Sequence, residues 1–306
     1  FTFLSYYNSM IMQRGLMMES IERIITQIDI FRDKSKLRIL KIWYGDNIVL
    51  LVDYAGEKFI VKDSIRGWGF YEYIYMKILR LEGYPVPQPI NFYPLSKASN
   101  TEWAYGYLSR YRGILVYKYI EGFPLCDEVE EWRVVKAVDL MRRLHNDKRH
   151  QRSRAFIPDY EKIESARLKY YMRKVNLPSD LKERLNELSR NYLREKIDYV
   201  LIHGDFRPHN LIISNSDEVY MIDLEGISDG ADKYKDAGVF SAECQRLGFF
   251  EIEDILKKQG YDTESVRYVF YLARRILVLL RHERDIKRKK MMMNILQEKL
   301  RDALQR

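Results

Sequence analysis

The residues best able to do chemistry stand close together, in His203-Gly204-Asp205-Phe206-Arg207-Pro208-His209-Asn210 and then Ile222-Asp223-Leu224-Glu225. Moving a phosphoryl group to a hydroxyl asks little of side chains. One carboxylate must orient the hydroxyl and take its proton, and oxygen ligands must hold magnesium against a triphosphate. Asp205 and Asn210 lie in one loop and can face the same point from its two ends. Asp223, arriving at the end of a hairpin, would complete a set of hard oxygen ligands. Taken singly, such aspartates are usually turn and helix caps. The signal lies in their co-occurrence.

This arrangement resembles the catalytic loop H-G-D-x-x-x-x-N and the metal-binding D-x-E of the aminoglycoside phosphotransferase and choline kinase superfamily, whose fold is similar to that of protein kinases. The resemblance implies that Asp205 is the catalytic aspartate, that Asn210 and Asp223 bind Mg2+, and that Glu225 lies near a second metal. It further implies ATP or GTP as phosphoryl donor and the hydroxyl of a small molecule as acceptor. His203 would support the loop through hydrogen bonds rather than act as a base, and His145 would pack. Asp236, in Gly230-Ala231-Asp232-Lys233-Tyr234-Lys235-Asp236, would match the family's helix-start aspartate, although one extra residue precedes Asp232. Arg207 would lie near the transferred phosphate, or be an exposed loop residue.

Further matches lie upstream. Lys62, closing Lys58-Phe59-Ile60-Val61-Lys62, resembles the third-strand lysine that holds the α- and β-phosphates, and Glu72 the glutamate that pairs with it. Asn47, after Gly45-Asp46, stands where the family has a nucleotide-covering loop. Leu115 to Gly122 resembles the segment between the two lobes, which reads the base through backbone groups at Lys118 and Ile120. Each match has a plainer alternative. A strand-end lysine is usually solvated, an acidic residue suits a helix N-terminus, Gly45 suits a hairpin turn, and 115–122 can be a buried strand.

The elements that must position these groups follow from periodicity. Ile21, Ile24, Ile25 and Ile28 give a helix over 19–31. Strands follow at 37–43, 47–53 and 58–62, with Gly45-Asp46 and Ala55-Gly56-Glu57 as turns. A helix over 71–81 precedes Pro85-Val86-Pro87, which forces extended chain. Strands at 103–108 and 114–120 complete the first part. Beyond Gly122 helices dominate, at 129–146, 159–175, 179–195, 232–247, 251–259, 263–282 and 291–304, interrupted by strands 211–214 and 219–222. The fold class is α+β: a two-lobed protein-kinase-like fold with an antiparallel five-stranded sheet plus helix in the N-lobe and a mainly helical C-lobe. Residues 1–118 would be the nucleotide-binding lobe and 119–306 the catalytic and acceptor-binding lobe.

The net charge of +8 favours anionic partners without excluding others. Basic residues such as Arg142, Arg143, Lys148, Arg149, Arg167, Lys169 and Arg173 crowd the helices of the second lobe, whereas enzymes that act on polycationic aminoglycosides tend to carry acidic surfaces there. The acceptor is therefore expected to be neutral or anionic, sugar-like or glycolipid-like. Two alternatives remain at this level: an atypical protein kinase, against which stands the lack of D-F-G and A-P-E segments, and a catalytically silent module binding nucleic acid or another anion. Cys126 and Cys244 have no C-x-x-C spacing, which disfavours a disulfide scaffold or zinc site and fits a reducing cytoplasm. No run approaches the ~18 apolar residues of a membrane span, and 1–18 lack the order of a signal peptide. Peripheral contact with an acidic surface stays open, and no obligate nucleic acid is implied.

Overall fold

The structure is a computed structural model and describes residues 24–25, 28–45, 47–64, 67–97, 111–151 and 159–305. The chain divides into two compact units, Phe1–Ile120 and Glu121–Arg306. No helix among the described residues is long and apolar enough to cross a membrane.

The first unit is an antiparallel five-stranded sheet with a helix. Its strands are β1 (Leu37–Tyr44), β2 (Ile48–Tyr54), β3 (Glu57–Ser64), β4 (Pro89–Lys97) and β5 (Tyr111–Lys118), in the order β1-β2-β3-β5-β4. Between β2 and β3, Tyr54 faces Glu57. The two residues between them, Ala55 and Gly56, have φ of +54° and +88°, the paired left-handed conformation that matches strand twist in a tight hairpin. The Asp53 carboxylate accepts the Gly56 N–H at 3.2 Å and closes the turn.

Side chains alternate across a strand, and here the two faces do different work. Leu50, Val52, Phe59, Val61, Ile114 and Val116 form a core with Ile24, Ile28 and Phe31. The intervening residues, Lys62 among them, point to the opposite face, where α1 (Gly69–Leu81) packs on β3, β4 and β5. The Ser64 hydroxyl accepts the first N–H of α1, from Gly69, at 2.7 Å.

The expected helix over 19–31 lies mostly outside the described residues, as does the strand expected at 103–108. The fourth strand of the sheet is Pro89–Lys97, which sequence reading passes over because Pro89 and Pro94 argue against a strand. It is tolerated because β4 is an edge strand, with register shifts beside both prolines.

The second unit is mainly helical. Its helices are α2 (Glu131–His145), α3 (Tyr160–Lys174), α4 (Ser179–Tyr192), α5 (Tyr234–Arg246), α6 (Ile252–Lys258), α7 (Val266–His282) and α8 (Ile286–Leu304). α5 is buried almost throughout and packs on α7. Two short sheets carry the loops of interest: β6 (Gly122–Pro124), β8 (Leu211–Ser214) and β9 (Val219–Met221) in the order β6-β8-β9, and β7 (Tyr199–Ile202) paired with β10 (Ser228–Asp232). β6, β7 and β10 were not expected, and α8 begins five residues earlier than the periodicity suggests.

Buried polar contacts knit the helices. Arg267 of α7 grips the Asp232 carboxylate with two nitrogens, at 2.6 and 3.0 Å. Tyr192 stacks on Phe270 with ring centroids 3.9 Å apart, and its hydroxyl meets that of Tyr271 at 2.7 Å. Glu164 of α3 is ion-paired with Arg274 of α7 and, at 2.7 Å, with Arg167.

Candidate active site

In the second unit the loop 203–210 leaves β7 and enters β8. Its shape is set from beneath by Asp236, in the first turn of α5. The fully buried Asp236 carboxylate accepts the N–H groups of His203 and Gly204 at 2.7 and 2.8 Å, and lies 3.2 Å from His145 Nε2. His145 Nδ1 meets the Tyr261 hydroxyl at 2.7 Å, which anchors the imidazole in turn. Burial pushes the Asp236 carboxyl up, but the hydrogen bond and charge of His145, with His203, outweigh it and hold the group below the ordinary carboxylate value. Gly204 has φ +84°, and a Cβ there would meet the Gly226 carbonyl at 1.8 Å. No side chain fits.

His203 is a brace. Its Nε2 donates to the Ile222 carbonyl at 3.0 Å, and its Nδ1 accepts the Asp205 N–H at 3.3 Å. Both nitrogens are occupied, and the residue is fully buried.

Asp205 and Asn210 face each other across the loop. Asn210 Nδ2 donates to the Asp205 carboxylate and to its carbonyl, each at 3.0 Å. With Asn210 Nδ2 directed at Asp205, its Oδ1 is the atom that could meet a metal. The Ile222 N–H donates to the Asn210 carbonyl at 3.0 Å, which sets Asp223 beside Asn210. Asp223 has φ +60°, a conformation uncommon outside glycine that is found at functional positions. Asp223 and Glu225 bring carboxylate oxygens within 4.8 Å of each other.

Cations as well as carboxylates stand around this loop. Arg207 Nε lies 3.0 Å from Asp205 Oδ2, an ion pair in which both side chains stay one-third exposed. The turn Pro208–Asn210 packs on α5, and Phe206 meets Phe240 of that helix at 5.3 Å between ring centroids. One turn further, buried Glu243 is shared by Arg246, at 3.0 Å, and by Arg275 of α7, with Nε at 2.8 Å. Partial burial lowers the His209 pKa against the pull of Glu243, with Arg207, Arg246 and Arg275 adding to the lowering. Sequence reading missed Glu243, Arg246 and Arg275, because only the packing of α5 and α7 brings them to the loop.

In the first unit Lys62 Nζ donates to Glu72 Oε2 at 2.9 Å, with side chains 5 % and 0 % exposed. Lys62 is thus a buried partner, not a solvated strand end. Asn47 sits in the β1–β2 turn, where its carbonyl accepts the Gly45 N–H at 3.2 Å. Lys118 ends β5 with its ammonium on Glu57 and over the Phe59 ring. Its N–H donates to the Gln88 carbonyl at 2.9 Å, and the Tyr119 N–H to the Lys58 carbonyl at 3.1 Å.

The model of the APH phosphotransferase enzyme family matches residues 48–231, more than half of the chain. The chain belongs to this family. It is therefore a small-molecule phosphotransferase with a hydroxyl acceptor. No curated protein matches it by sequence. Among solved structures it is similar to the choline kinase LicA from Streptococcus pneumoniae, at 17% identity and TM-score 0.58, over 94% of this chain and 100% of that one. It is similar also to a thermostable mutant of the aminoglycoside phosphotransferase APH(4)-Ia, at 15% identity and TM-score 0.62, over 87% and 94%. A third is the amicoumacin kinase hAmiN in complex with AMP-PNP, Ca2+ and Ami, at 15% identity and TM-score 0.55, over 88% and 89%. At such identities the likeness is one of fold, and it bears out the α+β protein-kinase-like architecture of this family member.

Proposed function

We propose that this phosphotransferase moves the γ-phosphoryl group of ATP, or of GTP, to the hydroxyl of a neutral or anionic small molecule in the presence of Mg2+. The observation that carries the reading is the Asp205–Asn210 pair, held by buried groups that themselves have no reactive role. Asp205 would take the acceptor's proton as its oxygen bonds to the γ-phosphorus and the bond from that phosphorus to the β–γ bridging oxygen breaks. Asn210 Oδ1, Asp223 and Glu225 form an all-oxygen donor set that suits magnesium. Bound there, the ion would neutralise phosphate charge.

In the first unit, Lys62 would hold the α- and β-phosphates with Glu72 fixing its ammonium, and Asn47 would contact the nucleotide. The Lys118 carbonyl and the Ile120 N–H would offer an acceptor and a donor two residues apart, which suits the N6–H and N1 edge of adenine and equally the N1–H and O6 edge of guanine.

Acceptor charge is better judged from the loop than from the basic helices. On those helices Arg142 is paired with Asp139, Arg149 with Asp147 and Arg167 with Glu164. Beside Arg207 and His209, Arg246 and Arg275 share Glu243, and Arg246 also reaches Glu283 at 3.9 Å. We take these three arginines to weigh against a polycationic acceptor, with Asp205, Asp223 and Glu225 opposing them. The test is transfer from γ-labelled ATP to panels of neutral sugars, sugar phosphates and aminoglycosides. Transfer to the first two is expected, and aminoglycosides as best acceptors would overturn the assignment.

A further inference from the structure

A second concave site lies on the helical hairpin of the second unit. Between α3 and α4 opens a cavity of about 470 Å3 lined by Lys169, Met172, Arg173, Val175, Lys182 and Asn186. Its volume falls in the range of small-molecule sites. Three of its lining residues are cations and none is acidic. Lys169 and Arg173 stand four residues apart on α3, and Arg173 Nε is steered by a hydrogen bond to the Lys169 carbonyl at 3.3 Å. Lys182 follows at the start of α4.

Elsewhere on α3, Lys162 is matched by Asp159 and Arg167 by Glu164, while Lys174 lies over the Tyr170 ring. Among the described residues no carboxylate pairs with Lys169, Arg173 or Lys182, although Asp180 and Glu183 adjoin Lys182 in sequence. Like charges four apart on a helix repel, and a cation near a helix N-terminus opposes the helix dipole. All three side chains are exposed, so this repulsion is small and screened by salt, and an anion seated among them would relieve it. Buried Met172 and half-buried Val175 close the floor, and the Asn186 amide adds a neutral polar group.

We infer that this cavity binds a free, multiply charged phosphate anion of the pyrophosphate type. The site shares no residue with 203–210 or 223–225 and does not depend on the proposed reaction. An arginine fork and two ammonium groups suit adjacent phosphates.

The test is calorimetric titration of inorganic pyrophosphate, without magnesium, at low and physiological ionic strength. The proteins are wild type, Asp223→Ala and the triple variant Lys169→Gln/Arg173→Gln/Lys182→Gln. Wild type and Asp223→Ala are expected to bind one equivalent alike, with the triple variant weaker by about tenfold or more. Thermal unfolding without ligand should leave the triple variant at least as stable as wild type, because repulsion is removed. Equal affinity in wild type and triple variant would overturn the inference, as would no binding to wild type. Loss of binding in Asp223→Ala would place the anion elsewhere and overturn it too. So would binding of phosphatidylglycerol vesicles without binding of pyrophosphate.

Discussion

The first unit commits its key cation to the interior, whereas the second keeps its key carboxylate at the surface of a buried frame. Lys62 and Glu72 are both buried and answer to each other across one contact of 2.9 Å. Asp205 is one-third exposed, and the groups that hold its loop, Asp236, His203 and His145, lie beneath it and react with nothing. On the proposed roles, function and stability would rest on the same atoms in the first unit. In the second they would rest on different atoms, so that a substitution could remove one and spare the other.

The largest expected effect breaks the first half of that comparison. Removing one partner of a buried ion pair takes that stabilising charge from the other, at about 3–5 kcal/mol. Lys62→Met and Glu72→Leu should each lose stability of that order in urea unfolding. The double variant should recover most of it, because replacing both charges with apolar groups can be near neutral, while nucleotide binding stays lost. Full additivity of the two losses would show that the pair is not coupled.

A smaller effect sharpens the second half. Asp236→Asn weakens bonds to two backbone N–H groups and to His145, and should cost about 1–3 kcal/mol near neutral pH. Asp236 is held below the ordinary carboxylate value when folded. Between its folded pKa and the unfolded value of about 3.9, the unfolded chain binds more protons, so stability rises with pH there and is complete above it. The gap between wild type and Asp236→Asn should thus narrow as pH falls below about 4. A gap that stays constant to acid pH would remove the charge from the account.

The smallest concerns the hairpin that delivers Lys62. Ala55 sits at φ +54°, where L-residues are strained by roughly 1–2 kcal/mol and glycine is not. Glycine's greater unfolded freedom offsets part of this, so Ala55→Gly should stabilise by a few tenths to about 1 kcal/mol in thermal unfolding. Destabilisation would mean that the turn is shaped by its surroundings rather than by its own φ.

What was legible in the sequence was whatever lay close along it. The loop 203–210 and the pair Asp223 and Glu225 are contiguous motifs, and the helices from 131 onward keep a regular apolar period. β7 and β10 were not legible, because they are short, pair across some 25 residues of sequence, and β10 carries Gly230 and Ala231, poor strand formers. β4 was hidden by its prolines. Glu72 looks like a first-turn acid until its burial against Lys62 is seen. Asp236 could be read only through the family resemblance, and Glu243, Arg246 and Arg275 not at all, because tertiary packing alone brings them to the loop.

The central claim gives Asp223 and Asp205 different duties, one toward metal and nucleotide, the other toward the acceptor. Nucleotide-dependent thermal stabilisation tests it most directly, since a ligand that binds the folded state raises apparent stability without any acceptor. Wild type, Asp223→Ala and Asp205→Asn should be compared with ATP and GTP, each with and without magnesium. The account predicts magnesium-dependent stabilisation of wild type and Asp205→Asn, and none of Asp223→Ala. Equal loss in both variants, or no stabilisation of wild type by either nucleotide, would contradict it.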